Sequence, residues 1–89
     1  MPEPPESVIV SFEFLADLTR LSREDQRRVL RALELLDANE HTSSLRVHKL
    51  KGEKAGQWSA SASKSLRIIF ERLDERRKLL LACDHHYGD

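Results

Sequence analysis

Apolar residues recur in two different periods along the chain, and the period changes in the middle of the sequence. Between residues 12 and 38 they recur every three to four positions, which is the spacing of one helix face. The two apolar stripes are Phe14, Leu18 and Leu21, and Val29, Leu33 and Leu36. The pattern predicts two helices, and the short connection between them predicts that they fold back as a hairpin.

Short polar residues indicate where these helices begin. A β-branched segment at residues 7–12 predicts a strand, at whose end Ser11 is placed to cap the first helix. Ser22 is followed three residues later by Asp25, a spacing close to that of a capping box. We therefore expect the second helix to run from residue 23 to about residue 38.

After residue 56 the apolar period becomes two, which is typical of strands with one buried face. Three such segments, at residues 57–62, 65–71 and 78–83, are separated by polar turns and predict an antiparallel meander. The middle segment sets Leu66, Ile68 and Phe70 on one face and Arg67, Ile69 and Glu71 on the other. The helical hairpin is expected to pack on the apolar face, with Trp58 in the same core.

These elements predict an α+β fold, with a hairpin of two N-terminal helices packed on one face of a small, mainly antiparallel sheet. The expected sheet has four strands, and the order along the chain is β-α-α-β-β-β. The 89 residues form one domain, residues 1–89, and the acidic, proline-rich residues 1–6 are expected to be a flexible lead-in.

The net charge of zero conceals an asymmetry between the two halves of the chain. Residues 1–45 carry five basic and nine acidic residues, a balance of −4, whereas residues 46–89 carry ten and six, a balance of +4. The segment 46–67 alone has six basic residues and one acid, Glu53. This separation indicates that the second half meets a polyanion, although a solvated charged surface is the alternative interpretation.

The lone cysteine, Cys83, excludes an intramolecular disulfide, and its apolar surroundings predict a small core residue rather than a nucleophile. No apolar run approaches the roughly 20 residues that span a bilayer. We therefore expect a cytoplasmic protein without membrane contact.

Candidate chemistry is concentrated near the C-terminus. If the last strand pairs with its neighbour, the cluster His85-His86-Tyr87 comes within reach of Arg67. A fixed cation beside an imidazole and a phenol is suited to phosphate chemistry. A metal site is not expected, because the two histidines are adjacent and no second cysteine is present.

Four motifs, in order, resemble the RelE/ParE superfamily of toxins from type II toxin–antitoxin systems. They are Leu50-Lys51-Gly52, Gly56-Gln57-Trp58-Ser59, the Leu-Arg-Ile-Ile-Phe strand at 66–70, and Ala82-Cys83-Asp84-His85-His86-Tyr87. The ending is most similar to the YoeB branch, and the element His48-x-Leu50-x-Gly52 is similar to the YafQ branch.

The resemblance implies a ribosome-dependent mRNA endonuclease that arrests translation. Its partners would be mRNA on the ribosome and a cognate antitoxin protein, and its oligomeric state, a homodimer or a toxin–antitoxin hetero-oligomer, is left open. The implied reaction needs no metal or other cofactor, because the 2′-hydroxyl of the RNA attacks the neighbouring phosphorus and expels the 5′-oxygen.

Residue roles follow from the resemblance and from the demands of that reaction. Arg67 would hold the phosphorane charge, His86 would act as general acid, and Tyr87 would stack on a base or orient the phosphate. The general base is His48 on a YafQ-like reading and Glu53 on a YoeB-like one. The RNA backbone would be bound by Arg46, Lys49, Lys54 and Lys64. Lys51 would bind it as well, and it is also counted among the catalytic residues.

Two departures from the superfamily pattern keep other functions open. Where family members often carry further basic residues, this chain has Ser59-Ala60-Ser61-Ala62-Ser63. The two adjacent histidines, His85 and His86, also leave open which of them is the catalytic one. The alternatives are a ParE-like DNA gyrase inhibitor on the same fold, and a catalytically weakened homologue that binds RNA or an antitoxin.

Overall fold

A computed structural model of the chain describes residues 7–86. The predicted lead-in at residues 1–6 and the predicted site residue Tyr87 lie outside the described residues. The elements are β1 (Ser7–Val10), α1 (Phe12–Thr19), α2 (Arg23–Ala38), β2 (His48–Lys49), β3 (Trp58–Ser61), β4 (Leu66–Arg72) and β5 (Arg77–His85), with single 3-10 turns at Ser43–Leu45 and Gly52–Lys54.

One five-stranded sheet has the order β1-β5-β4-β3-β2. β1 runs parallel to β5, and the other neighbours are antiparallel. The predicted α+β class is confirmed, but the predicted count of four strands is wrong. The fifth strand, β2, has only two residues, both exposed, so it carries no apolar alternation by which the sequence could reveal it.

The predicted helix caps are confirmed. Ser11 Oγ accepts a hydrogen bond from the backbone N–H of Phe14 at 3.0 Å, and Ser22 Oγ accepts one from Asp25 at 3.1 Å. Each bond satisfies one of the N–H groups that a helix start leaves unpaired. Because Ser11 serves as the cap, β1 ends at Val10, two residues earlier than the apolar pattern indicated.

The core lies between the helices and one face of the sheet. It contains Phe14 from α1, the buried residues Val29, Ala32 and Leu36 from α2, and Leu66, Ile68 and Phe70 from β4. Trp58 is partly buried against this core, and the Arg72 guanidinium lies 4.2 Å from its ring centroid. No helix among residues 7–86 is long and apolar enough to cross a membrane.

Cys83 is a buried member of this core, as the sequence predicted. Burial, with the nearby charges of Asp17 and Asp84, raises the pKa of its thiol to about 12. The thiol is therefore protonated at neutral pH and unsuited to nucleophilic chemistry.

A partly buried ionic cluster lies at the end of the sheet near the end of α2. Lys78 is 2% exposed, and its Nζ lies 3.8 Å from Glu40 Oε2. Arg72 donates two hydrogen bonds to the same carboxylate, at 3.3 and 2.7 Å. Burial by itself would raise the pKa of Glu40, but the hydrogen bond from Arg72 and the charge of Lys78 outweigh it, and the pKa falls below 4.5.

Candidate active site

Arg67 lies on the sheet face that points away from the helices. Its direct partners across the sheet are Ser61 on β3 and Asp84 on β5, whereas the neighbouring Leu66 and Ile68 point into the core. The Arg67 side chain is 18% exposed, and its Nε donates to Asp84 Oδ1 at 3.2 Å. Since that ion pair uses Nε, the terminal guanidinium edge is available for a bidentate contact with a phosphate.

The two C-terminal histidines lie on opposite sides of the sheet. His85 is paired with Leu66 and turns toward α2, where its Nε2 is 2.8 Å from Asp25 Oδ2. The next residue, His86, donates its backbone N–H to the carbonyl of Ser65 at 2.6 Å and lines the same cleft as Arg67. Among the two histidines left open by the sequence, His86 therefore shares a surface with Arg67.

A β-bulge determines which histidine faces Arg67. Ile69 pairs with Ala82 but Phe70 pairs with Leu80, so Leu81 is an extra residue in β5. Counting from buried Leu80, strict alternation would turn His85 toward the Arg67 face. The extra residue shifts the alternation by one position and presents His86 instead.

The outer face of β3 and β4 forms one wall of a cleft of about 630 Å³. The other wall is the segment from Arg46 to Lys54. The cleft brings together seven of the ten residues given a site role in the sequence analysis, namely Arg46, His48, Lys51, Lys54, Lys64, Arg67 and His86. Small side chains of Ser59 and Ser61 form the floor, so the Ser/Ala strand that departs from the superfamily pattern leaves open space there.

The cleft is strongly basic. Five of its described lining residues are cations, two are histidines, and none is a carboxylate. Glu53, the alternative general base, lies in the turn beside the cleft but is not among the lining residues. Positive charges that line a concave surface focus a positive potential inside it, which favours binding of a polyanion.

His48 is held in one tautomer. Its Nδ1 lies 2.8 Å from the carbonyl oxygen of Arg46, and because a carbonyl only accepts, Nδ1 must carry the hydrogen. In the neutral ring Nε2 is then the acceptor, which is the form a general base requires. Arg46 adopts a left-handed backbone conformation, with φ of 47°, at the end of the Ser43–Leu45 turn.

Lys49, a predicted RNA contact, lies away from the cleft. It pairs with Trp58 at the edge of the sheet, and its Nζ is 5.4 Å from the Trp58 ring centroid. Its neighbour His48 pairs with Ser59 and faces the cleft. Alternation along β2 therefore separates these two residues.

Three polar residues that support this site had no site role predicted for them. Asp84 contacts Arg67, and Asp25 and Ser65 both contact His85. Alternation places Asp84 and Arg67 on one face once the strand register is known. Asp25 carried no such signal, because it is separated from His85 by 60 residues.

The chain is similar to known proteins in its structure. No family model matches the chain, and no curated protein sequence does. A chain of the RelBE2 toxin–antitoxin complex from Mycobacterium tuberculosis superposes with a TM-score of 0.76 at 23% identity, over 94% of each chain. YafQ from Escherichia coli gives 0.75 at 16% identity, over 93% of this chain and 99% of YafQ.

The YoeB dimer from Staphylococcus aureus gives a TM-score of 0.66 at 20% identity, over 94% of this chain and all of the YoeB chain (100%). The chain has the fold of the RelE/ParE toxins. Both branches to which its motifs are similar, YoeB and YafQ, are among the matching folds.

Proposed function

We propose that this protein is the toxin of a type II toxin–antitoxin pair and an endoribonuclease that cleaves mRNA on the ribosome without a metal. The observation that carries the proposal is the cleft in which Arg67, His48 and His86 meet among further cations. The fold similarity to toxins supports it independently.

The cleft residues fit the roles that cleavage by the neighbouring 2′-hydroxyl requires. His48 Nε2 takes the proton from the 2′-hydroxyl as this oxygen attacks phosphorus. Arg67 contacts two phosphate oxygens through its terminal nitrogens, and Lys51 adds a second cation as negative charge develops on the phosphorane. His86 gives a proton to the departing 5′-oxygen, so the products are a 2′,3′-cyclic phosphate and a 5′-hydroxyl.

The proposed partners follow from the same comparison. The similar fold from M. tuberculosis belongs to a toxin–antitoxin complex, and we infer that this chain is likewise neutralised by a small antitoxin protein. Because the proposed place of action is the translating ribosome, we infer that the protein acts in the cytoplasm of a bacterium or archaeon.

Mapping of cut sites on ribosome-bound mRNA tests this function. The wild-type protein is expected to release fragments ending in a cyclic phosphate, and Arg67→Ala and His86→Gln to lower the rate by about 10²- to 10⁴-fold each. His41→Gln is the matched control, because His41 does not line the cleft and lies beside the pocket next to Trp58.

Two outcomes would refute the proposal. If growth stops with mRNA intact and with DNA damage, the protein is a gyrase inhibitor. If expression leaves growth unchanged while the protein binds RNA or an antitoxin, it is a binding homologue without catalysis.

A further inference from the structure

The last two residues of β5 and the residue that follows them alternate between the two sides of the sheet. Asp84 faces outward and contacts Arg67, His85 faces α2, and His86 returns to the cleft. Whatever fixes His85 therefore also fixes the direction in which His86 leaves the sheet.

Both ring nitrogens of His85 have polar partners. Nε2 lies 2.8 Å from Asp25 Oδ2, and Nδ1 lies 3.0 Å from Ser65 Oγ. Because a carboxylate only accepts, Nε2 carries a hydrogen and donates it to Asp25. The imidazole thus links the first turn of α2 to the turn between β3 and β4.

Asp25 is itself held firmly. Its side chain is 15% exposed, and its Oδ1 accepts a 2.7 Å bond from Arg28. Its backbone N–H donates to the cap residue Ser22. The bonds from Arg28 and then from His85 lower the pKa of the Asp25 carboxyl, so it is ionised at neutral pH.

Ser65 holds both histidines. Its hydroxyl meets the His85 ring, and its carbonyl accepts the backbone N–H of His86 at 2.6 Å. We propose that Asp25, through His85 and Ser65, is a positioning residue that holds the end of β5 so that His86 reaches the cleft. This inference rests on the proposed function, in which His86 is the proton donor.

The expected effect of losing Asp25 is on the chemical step. Ends of strands open locally at little cost, and His86 lies one residue beyond β5. A displacement of about 1 Å at a reacting group costs on the order of a hundredfold in rate. The cations of the cleft are untouched, so binding of mRNA should change little.

In the ribosome-bound mRNA assay, Asp25→Ala is expected to lower kcat by about tenfold to a hundredfold and to leave KM within about twofold. Asp25→Asn keeps an oxygen that accepts from His85 and should recover most of the rate. Glu24→Ala is the matched control, because it removes an acid from the same helix turn and an ion pair with the same Arg28, at 3.6 Å, while the bond between Asp25 and His85 stays in place. It should keep the wild-type kcat.

Amide hydrogen exchange measured by NMR tests the positioning without reference to activity. Asp25→Ala, and His85→Ala as a variant that leaves α2 intact, should both accelerate exchange of the His86 amide while the core amides of β4 stay protected. Unchanged exchange at His86 together with an unchanged kcat would overturn the inference. If His86 exchange accelerates but the wild-type protein never cuts mRNA, the proposed function fails and the positioning of residue 86 stands.

Discussion

Replacing Lys51 by alanine tests whether the cleft binds RNA through its positive charge. Lys51 lines the cleft, whereas Lys49, two residues earlier, lies at the sheet edge beside Trp58. Both changes remove one positive charge from the same short segment. A difference between the two variants therefore reports the position of the charge and not the net charge of the protein.

The structure sets the expected magnitude. The logarithm of the affinity for single-stranded RNA falls with the logarithm of salt concentration by about 0.7 for each neutralised phosphate. The five cations of the cleft give an upper bound of about −3.5 for that slope. Lys51→Ala should make the slope shallower by about 0.7, to at most about −2.8, and Lys49→Ala should leave it at the wild-type value.

The assay is fluorescence anisotropy with a short RNA whose 2′-hydroxyls are all methylated, so that binding is measured without cleavage. Titrations between about 50 and 200 mM salt would show a wild-type affinity falling by up to about a hundredfold. A slope near zero, or equal losses in the two lysine variants, would refute the assignment of this cleft as the RNA site.

Other predictions concern stability and reactivity. Glu40→Gln should lower the free energy of unfolding in urea by about 2–3 kcal/mol, because it leaves the buried ammonium of Lys78 without its carboxylate. Glu34→Gln, whose side chain is 71% exposed, should cost less than about 0.5 kcal/mol, and equal losses would show that burial is irrelevant. The pKa of Glu40 in the folded protein lies below the ordinary value of 4.5. Its contribution to the free energy of unfolding is therefore full above pH 4.5 and is lost as the pH falls through the folded pKa. Glu40→Gln should therefore lose less stability in acid than the wild type. The Cys83 thiol, with a pKa of about 12, should react with an aromatic disulfide reagent at pH 8 only as fast as the protein opens, and rapid reaction of the native protein would contradict its burial.

Features that depend on neighbouring residues could be predicted from the sequence. The caps at Ser11 and Ser22 involve contacts three residues apart, and the α2 stripe from Val29 to Leu36 extends over about two turns. These signals are complete within the segment that forms the element, so both helix starts and the end of α2 follow from the pattern. The end of α1 does not, because the apolar stripe continues to Leu21 whereas the helix ends at Thr19.

Features that depend on strand register could not be predicted. Lys49 lies outside the cleft because it is paired with Trp58 in a two-residue strand. No pattern in the sequence determines that pairing. His86 faces Arg67 because Leu81 is an extra residue in β5, and nothing in the apolar run at residues 79–81 shows which residue is unpaired. Asp25 meets His85 only through the packing of α2 on the sheet.

In the proposed mechanism Arg67 stabilises charge on the phosphate while His86 protonates the leaving oxygen. A ribosome-bound mRNA with sulfur in place of the 5′-oxygen at the cut site separates these roles. A thiol has a pKa of about 8.5, so its thiolate is a good leaving group and departs without a proton donor. We predict that His86→Gln cuts this RNA at close to the wild-type rate and that Arg67→Ala remains slow. Failure of the sulfur to restore His86→Gln, or equal recovery of both variants, would contradict it.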